Sequence, residues 1–159
     1  MNTNRYRFLL LIPTLVVVTF IVSAFTMAEE TSLISKPNMK KSHEFGTDCM
    51  SCHKKGGAAK SIFMVSGSVL DEARSKIYKN PVIKLYTERK GQGELVGTIL
   101  GDALGNFYST ENIDFSIGLY PTLVGTEGVA EPIKHMSRPI FSGSCNSCHG
   151  TREEKLGID

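Results

Sequence analysis

All four cysteines of the chain fall in two copies of one five-residue pattern. The first copy is Cys49-Met50-Ser51-Cys52-His53 and the second is Cys145-Asn146-Ser147-Cys148-His149. No other feature restricts the chain as strongly. Two thiols three positions apart, followed at once by an imidazole, form the C-x-x-C-H attachment pattern of c-type haem. The chemistry needs that spacing, because the thiols add to two vinyl groups on one edge of the porphyrin. The next histidine is then held beneath the iron as its proximal axial ligand. The two copies predict two covalently attached c-type haems, one on Cys49 and Cys52 with His53, the other on Cys145 and Cys148 with His149.

Three other chemistries use paired cysteines. Two C-x-x-C pairs can form a four-thiolate zinc site. In an exported protein each pair can close a short disulfide, or a redox-active one of the thioredoxin type. All three account for the thiols and leave both trailing histidines as coincidences, and no βαβ pattern surrounds either motif.

Each iron takes a sixth ligand or keeps an open position. The two remaining histidines are His43, six residues before Cys49, and His135, ten residues before Cys145. Each precedes one motif at a distance that a short loop closes, so four histidines would serve two irons. Met136 is the main rival because it adjoins His135; Met39, Met50 and Met64 are weaker ones. The choice bears on function, since a thioether ligand raises the potential of the iron relative to a second imidazole. Spacing does not say which haem each distal histidine serves.

The chain's N-terminus carries Arg5 and Arg7 with no acid, then a mostly apolar stretch over 8–25, then small residues before Glu29 and Glu30. That is the order of a secretory signal, and residues 1–28 are expected to be a signal peptide or an uncleaved N-terminal anchor. In either case the remainder is exported, to the periplasm or cell surface, with membrane association through 8–25 if the segment is retained. About 130 residues are left for folding, roughly one domain. Removing Arg5 and Arg7 takes the formal charge from +2 to 0, so the chain has no basic excess for nucleic acid. Lys36, Lys40, Lys41, Lys54, Lys55 and Lys60 cluster around the first motif, and a solvated face is the expected meaning of that cluster.

Residues 60–125 lack cysteine and histidine and read as strands. Ile113, Phe115, Ile117 and Leu119 alternate with Asp114, Ser116, Gly118 and Tyr120, the period of a half-buried strand. Residues 82–87 alternate too, 62–70 form another run with Gly67 as a candidate bulge, 94–100 is a fourth strand, and 106–109 begins a fifth. Asn80-Pro81, Gly91-Gln92-Gly93, Gly101-Asp102, Gly105-Asn106, Tyr120-Pro121 and Gly125 supply turn signals. Residues 71–79 fit a hairpin loop or a single helical turn. The expected fold is mainly β: a small antiparallel β-sandwich over 60–125, flanked by irregular haem-binding segments at 29–59 and 126–159.

The run Gly67-Ser68-Val69-Leu70, residues 81–86, and Gly97-Thr98 leading into Gly101-Asp102-Ala103-Leu104-Gly105-Asn106-Phe107-Tyr108 resembles a carboxypeptidase-regulatory-like (transthyretin-like) β-sandwich. Gly101 stands where that family usually has threonine. The flanks, His43-Glu44-Phe45-Gly46 before the first motif and His135-Met136 with Gly143-Ser144 before the second, resemble those of exported dihaem c-type cytochromes with such a sandwich between their haem motifs. The resemblance implies His53 and His149 as proximal ligands and favours His43 and His135 as distal ones, without assigning a pathway or a partner.

The leading functional expectation is a dihaem cytochrome c passing single electrons between exported redox partner proteins, an electron carrier rather than an enzyme. A haem-bearing binding or sensor module of a larger cell-envelope assembly is the alternative. A small dihaem peroxidase-type reductase is less favoured, because no distal acid–base pair accompanies the motifs.

Overall fold

Alternating apolar side chains drive the middle of the chain into strands, and the strands close over the side chains that alternate inward. The computed structural model describes residues 33–126 and 133–158, and the expected export segment at 1–28 lies outside them. Among the described residues the strands are β1 (Val65–Ser68), β2 (Leu70–Asp71), β3 (Pro81–Tyr86), β4 (Leu95–Leu100), β5 (Asn106–Ser109), β6 (Tyr120–Thr126), β7 (Ile133–His135), β8 (Gly143–Ser144) and β9 (Gly157–Ile158). No described helix is long and apolar enough to cross a membrane. The fold is mainly β, as the sequence pattern predicts.

One sheet has the order β4-β3-β6-β7, the other β5-β1-β8, and a small ladder joins β2 to β9. In the larger sheet Ile83 on β3 lies opposite Ile99 on β4 and Leu123 on β6, with antiparallel pairing throughout. The core cluster draws on both sheets: Val65, Ile83, Leu85, Ile99, Phe107 and Leu123 pack together with Leu119 and Ile158. Leu85 is 1% exposed. Burying a leucine so completely contributes about 1.5–3 kcal/mol before chain entropy is counted.

The sandwich is not purely antiparallel. β8 runs parallel to β1, with Val65 opposite Gly143, and β9 runs parallel to β2, with Leu70 opposite Gly157. Both added strands come from the segment that carries the second C-x-x-C-H motif. That segment is therefore built into the sheets rather than draped over them.

Three details differ from the sequence pattern. Residues 113–119 do not form a strand. Ile113, Phe115 and Leu119 are buried as the alternation predicts, but Ile117 is 62% exposed. The amide of Ser116 donates to the Asp114 carboxylate, and Gly118 adopts φ +73°, so an Asx turn and a left-handed residue fold the run back on itself. The strand that follows instead takes in Tyr120-Pro121 and Gly125, which read as turn signals. Pro121 is tolerated because it is the second residue of β6, where the ladder with β7 ends, as that ladder begins at Thr122. Residues 71–79, by contrast, form the hairpin loop that is one of the two expected readings, closed by the Leu70–Ile77 bridge and by the amides of Ser75 and Lys76 donating to the Asp71 carboxylate.

Gly67 is not a bulge. It pairs in register with Phe107, and a Cβ there would collide with the Phe107 ring and reach 3.1 Å from the Cβ of Cys145. Phe107 is 1% exposed and has no room to yield. Gly67→Ala is expected to destabilise the fold by about 1–3 kcal/mol, the usual cost of overpacking. Urea unfolding of the variant checks this, and an unchanged midpoint would show that the ring can shift.

Candidate functional site

The two C-x-x-C-H motifs fold into the same local structure. Cys49–Ser51 and Cys145–Ser147 are each one turn of 3-10 helix. In the first, the amides of Cys52 and His53 donate to the Cys49 carbonyl at 3.2 and 2.9 Å; in the second, those of Cys148 and His149 donate to the Cys145 carbonyl at 3.2 and 3.0 Å. The leading thiols match as well, since Cys49 Sγ lies 3.7 Å from the Thr47 carbonyl and Cys145 Sγ lies 3.6 Å from that of Gly143. This tight turn sets both thiols and the imidazole on one short piece of backbone. Cys52 and Cys148 are exposed, while Cys49 and Cys145 are partly buried.

Both motif histidines are oriented through Nδ1. The His53 ring nitrogen is 3.1 Å from the carbonyl of Ser61 and 2.9 Å from its hydroxyl. His149 Nδ1 is 2.7 Å from the carbonyl of Glu154. A carbonyl only accepts, so Nδ1–H is the donor in both, and the neutral imidazole keeps its lone pair on Nε2. That is the state a metal-ligating histidine adopts when its second nitrogen is held by an outer partner. The His53 ring also stacks on Phe63 with centroids 3.9 Å apart, and Phe63 stacks on Tyr108 at 4.9 Å.

His43 is brought to the first motif. Its ring centroid lies 6.1 Å from that of His53, tilted by 38°. Two imidazoles sharing one metal, with bonds of about 2 Å each, have centroids roughly 6 Å apart. His135 is placed elsewhere: on β7 its Nδ1 is 3.0 Å from the Thr122 hydroxyl, and a Cβ on Gly91 would approach its ring at 3.4 Å. Its described contacts involve neither C-x-x-C-H turn. Met136 follows it, with its amide donating to the Pro121 carbonyl. Residues 96 positions apart in sequence, Asp48 and Ser144, bring the two turns side by side: the Ser144 hydroxyl donates to the Asp48 carboxylate at 2.6 Å.

Asn146, the second residue of the second motif, is 5% exposed. Its Nδ2 donates to the Thr47 carbonyl at 2.8 Å and to the Ser68 hydroxyl at 3.1 Å, and its Oδ1 accepts from the Ser68 amide at 3.2 Å. The Ser68 hydroxyl in turn donates to Asn106 Oδ1 at 2.6 Å and accepts from the Gly46 amide at 2.9 Å. Asn106 Nδ2 closes the chain of contacts on the Ser42 hydroxyl at 2.9 Å. A small open cleft runs beside this seam, lined by Phe45, Gly46, Ser68, Asn146, His149 and Lys155. The C-x-x-C-H pattern gives its two middle positions no defined chemistry and so does not mark Asn146, while Asp48 and Ser68 lie outside it. The signal available in sequence is the polarity of Asn146 where the first motif has Met50.

The state of the four cysteines bears on each chemistry that uses paired thiols. All four cysteines are free thiols. Among the described residues no group of three or more His, Cys, Asp or Glu converges to hold a bare metal ion. Burial pushes the Cys145 thiol up to about 12, with the nearby Cys148, Cys49 and Asp48 adding to the rise. Burial also raises Cys49, against a hydrogen bond from Ser66 that lowers it. Redox-active C-x-x-C pairs work the other way, through a depressed thiol. The lysines around the first motif, Lys36, Lys40, Lys41, Lys54, Lys55 and Lys60, are all exposed.

A raised thiol is mostly protonated at pH 8, and its thiolate fraction grows until the pH reaches its own pKa. In the chain before haem attachment, iodoacetamide is expected to modify Cys52 and Cys148 first and Cys145 last. The Cys145 rate should climb about tenfold per pH unit through pH 8–11 instead of levelling near 9. Peptide mass spectrometry reads each site, and a Cys145 rate that levels near 9 would refute the assignment. Comparison with protein-family models, with curated proteins and with solved structures finds no match for this chain.

Proposed function

We propose that the chain is a dihaem c-type cytochrome that transfers single electrons between exported redox partner proteins. The observation that carries this reading is the repeated site: two C-x-x-C-H turns of one geometry, with free thiols and with both imidazoles held at Nδ1 so that Nε2 stays available. Cys49 and Cys52 would hold one haem by thioethers, and Cys145 and Cys148 the other, with His53 and His149 as proximal ligands. Bound haem supplies a reversible one-electron iron couple, which needs no substrate pocket.

The protein's own residues account for the rest of the requirement. Ser61 and Phe63 fix the plane of His53, and Glu154 fixes that of His149, so neither ring has to reorient when the charge changes. The spacing of His43 from His53 supports His43 as the sixth ligand at the first haem. Thr122 holds the Nδ1 of His135, and His135 stays the proposed sixth ligand of the second haem, with Met136 as the alternative. The exposed lysines around the first motif suit a redox partner with an acidic face. Export rests on the signal-like order of residues 1–28.

A second reading is a haem-bearing binding or sensor module in a larger envelope assembly. It is supported by Phe141, 67% exposed, which lies over Gly118 next to the exposed Ile117.

The purified protein is expected to give a pyridine haemochrome spectrum of the c type at two haems per chain; one haem or none would overturn the proposal. His43→Ala should convert one haem from low-spin to high-spin, read by electron paramagnetic resonance, without altering the covalent stoichiometry. High-spin iron at the other haem in His135→Ala would assign His135 there, and an unchanged spectrum would assign methionine.

A further inference from the structure

The hydrogen bonds between the two turns run through a side chain that plays no part in attachment. We propose that Asn146 is a positioning residue for the first site: from within the second C-x-x-C-H motif it holds the segment that carries His43. What His43 does once held rests on the dihaem reading above; the contact itself does not.

His43 lies on a short loop tied down on both sides. Before it, the Ser42 hydroxyl accepts from Asn106 Nδ2. After it, the Gly46 amide donates to the Ser68 hydroxyl and the Thr47 carbonyl accepts from Asn146 Nδ2. Between these anchors the chain makes a turn in which the amide and hydroxyl of Thr47 both bond the Glu44 carbonyl, at 3.2 and 2.8 Å. Glu44 takes φ +52°, a conformation that a non-glycine residue keeps only where its surroundings enforce it. His43 itself is exposed and makes no side-chain hydrogen bond among the described contacts, so its position is set by the backbone that carries it.

Among the described contacts, Asn146 is the one residue of the second motif bonded to that backbone. Its amide supplies a donor to Thr47 and, through Ser68, orders the hydroxyl that receives the Gly46 amide. A buried amide with three hydrogen bonds is costly to disconnect, so its partners move together. Asn146 and Thr47 are 99 residues apart in sequence, and the contact therefore transmits the state of the second turn directly to the first. The Asp48–Ser144 bond reinforces the same junction on the other side of Thr47.

The full-length, haem-loaded protein serves as the test, with Asn146→Leu, which keeps the branched outline and removes the amide. Hydrogen exchange over residues 42–48 is expected to accelerate about three- to tenfold, as the loss of a net hydrogen bond implies, while β5 residues 106–109 stay protected. Electron paramagnetic resonance should show the same haem becoming high-spin in Asn146→Leu as in His43→Ala, and the double variant should add nothing to either. If Asn146→Leu does not fold, Ser68→Ala removes the hydroxyl at the centre of the network and carries the same expectations. Unchanged exchange over 42–48 would overturn the proposal, and so would a double variant in which a second haem becomes high-spin. If the unsubstituted protein carries no covalent haem, the cytochrome reading fails alone, because the exchange measurement still decides whether Asn146 holds the loop.

Discussion

A single buried hydroxyl is the point on which the two ends of the chain converge. The Ser68 Oγ has one proton and two lone pairs, and all three are used: it donates to Asn106, and it accepts from Gly46 and from Asn146. Its own amide donates back to Asn146. Ser68 is the last residue of β1 and is 5% exposed. Both flanking segments therefore meet at the end of the strand that also runs through the middle of the smaller sheet. In such a site a fully satisfied network is rigid and a partly satisfied one is expensive. The arrangement of the C-x-x-C-H turns follows from that condition, because each is tethered to the hydroxyl by one side chain or one amide.

The two motif histidines share a geometry and differ in support. His53 is stacked between the sandwich and the loop of His43, with Phe63 and Tyr108 continuing the stack toward Ser35, whose hydroxyl accepts from the Tyr108 amide. Phe63 is buried. His149 is held by one carbonyl in the C-terminal segment, Glu154, where the Arg74–Glu154 ion pair is exposed on both sides. An exposed pair of that kind adds little to stability. The second ring depends instead on the β2–β9 ladder and on Ile158, which is fully buried. One site leans on the core, the other on the last few residues that join it.

The parts of this architecture that were legible in sequence are those with a strict local rule. Strand β3 follows from alternation, and β4 and β5 from short runs bounded by glycine turn signals. The reading of 113–120 failed because period two measures side-chain alternation and not extended backbone. Ile113, Phe115 and Leu119 do enter the core, but by way of a turn at Asp114 and Gly118. The parallel strands β8 and β9 were invisible, since two residues carry no period and Gly143 and Gly157 bear no side chain to show one. At Gly143 a Cβ would collide with the Met64 carbonyl, so the glycine marks a close approach of two backbones that sequence shows only as flexibility. The seam itself is a long-range property. Asn146 bonds Ser68 at the end of β1, whereas Met50, its counterpart in the first motif, ends in a thioether with no proton to donate.

The span of that seam has a consequence in time. Contacts between residues 47 and 146 and between 48 and 144 close loops of nearly the whole folded region, and long-range closure comes late because its entropy is spent before the contact returns any energy. A chain delivered N-terminus first presents its first C-x-x-C-H turn while the strands that brace it are still missing. Until the last thirty or so residues arrive, that turn lacks its bonds from Asn146 and Ser144. The first motif to emerge thus waits for residues 144 and 146, which gives whatever modifies its thiols a window that narrows as the fold finishes.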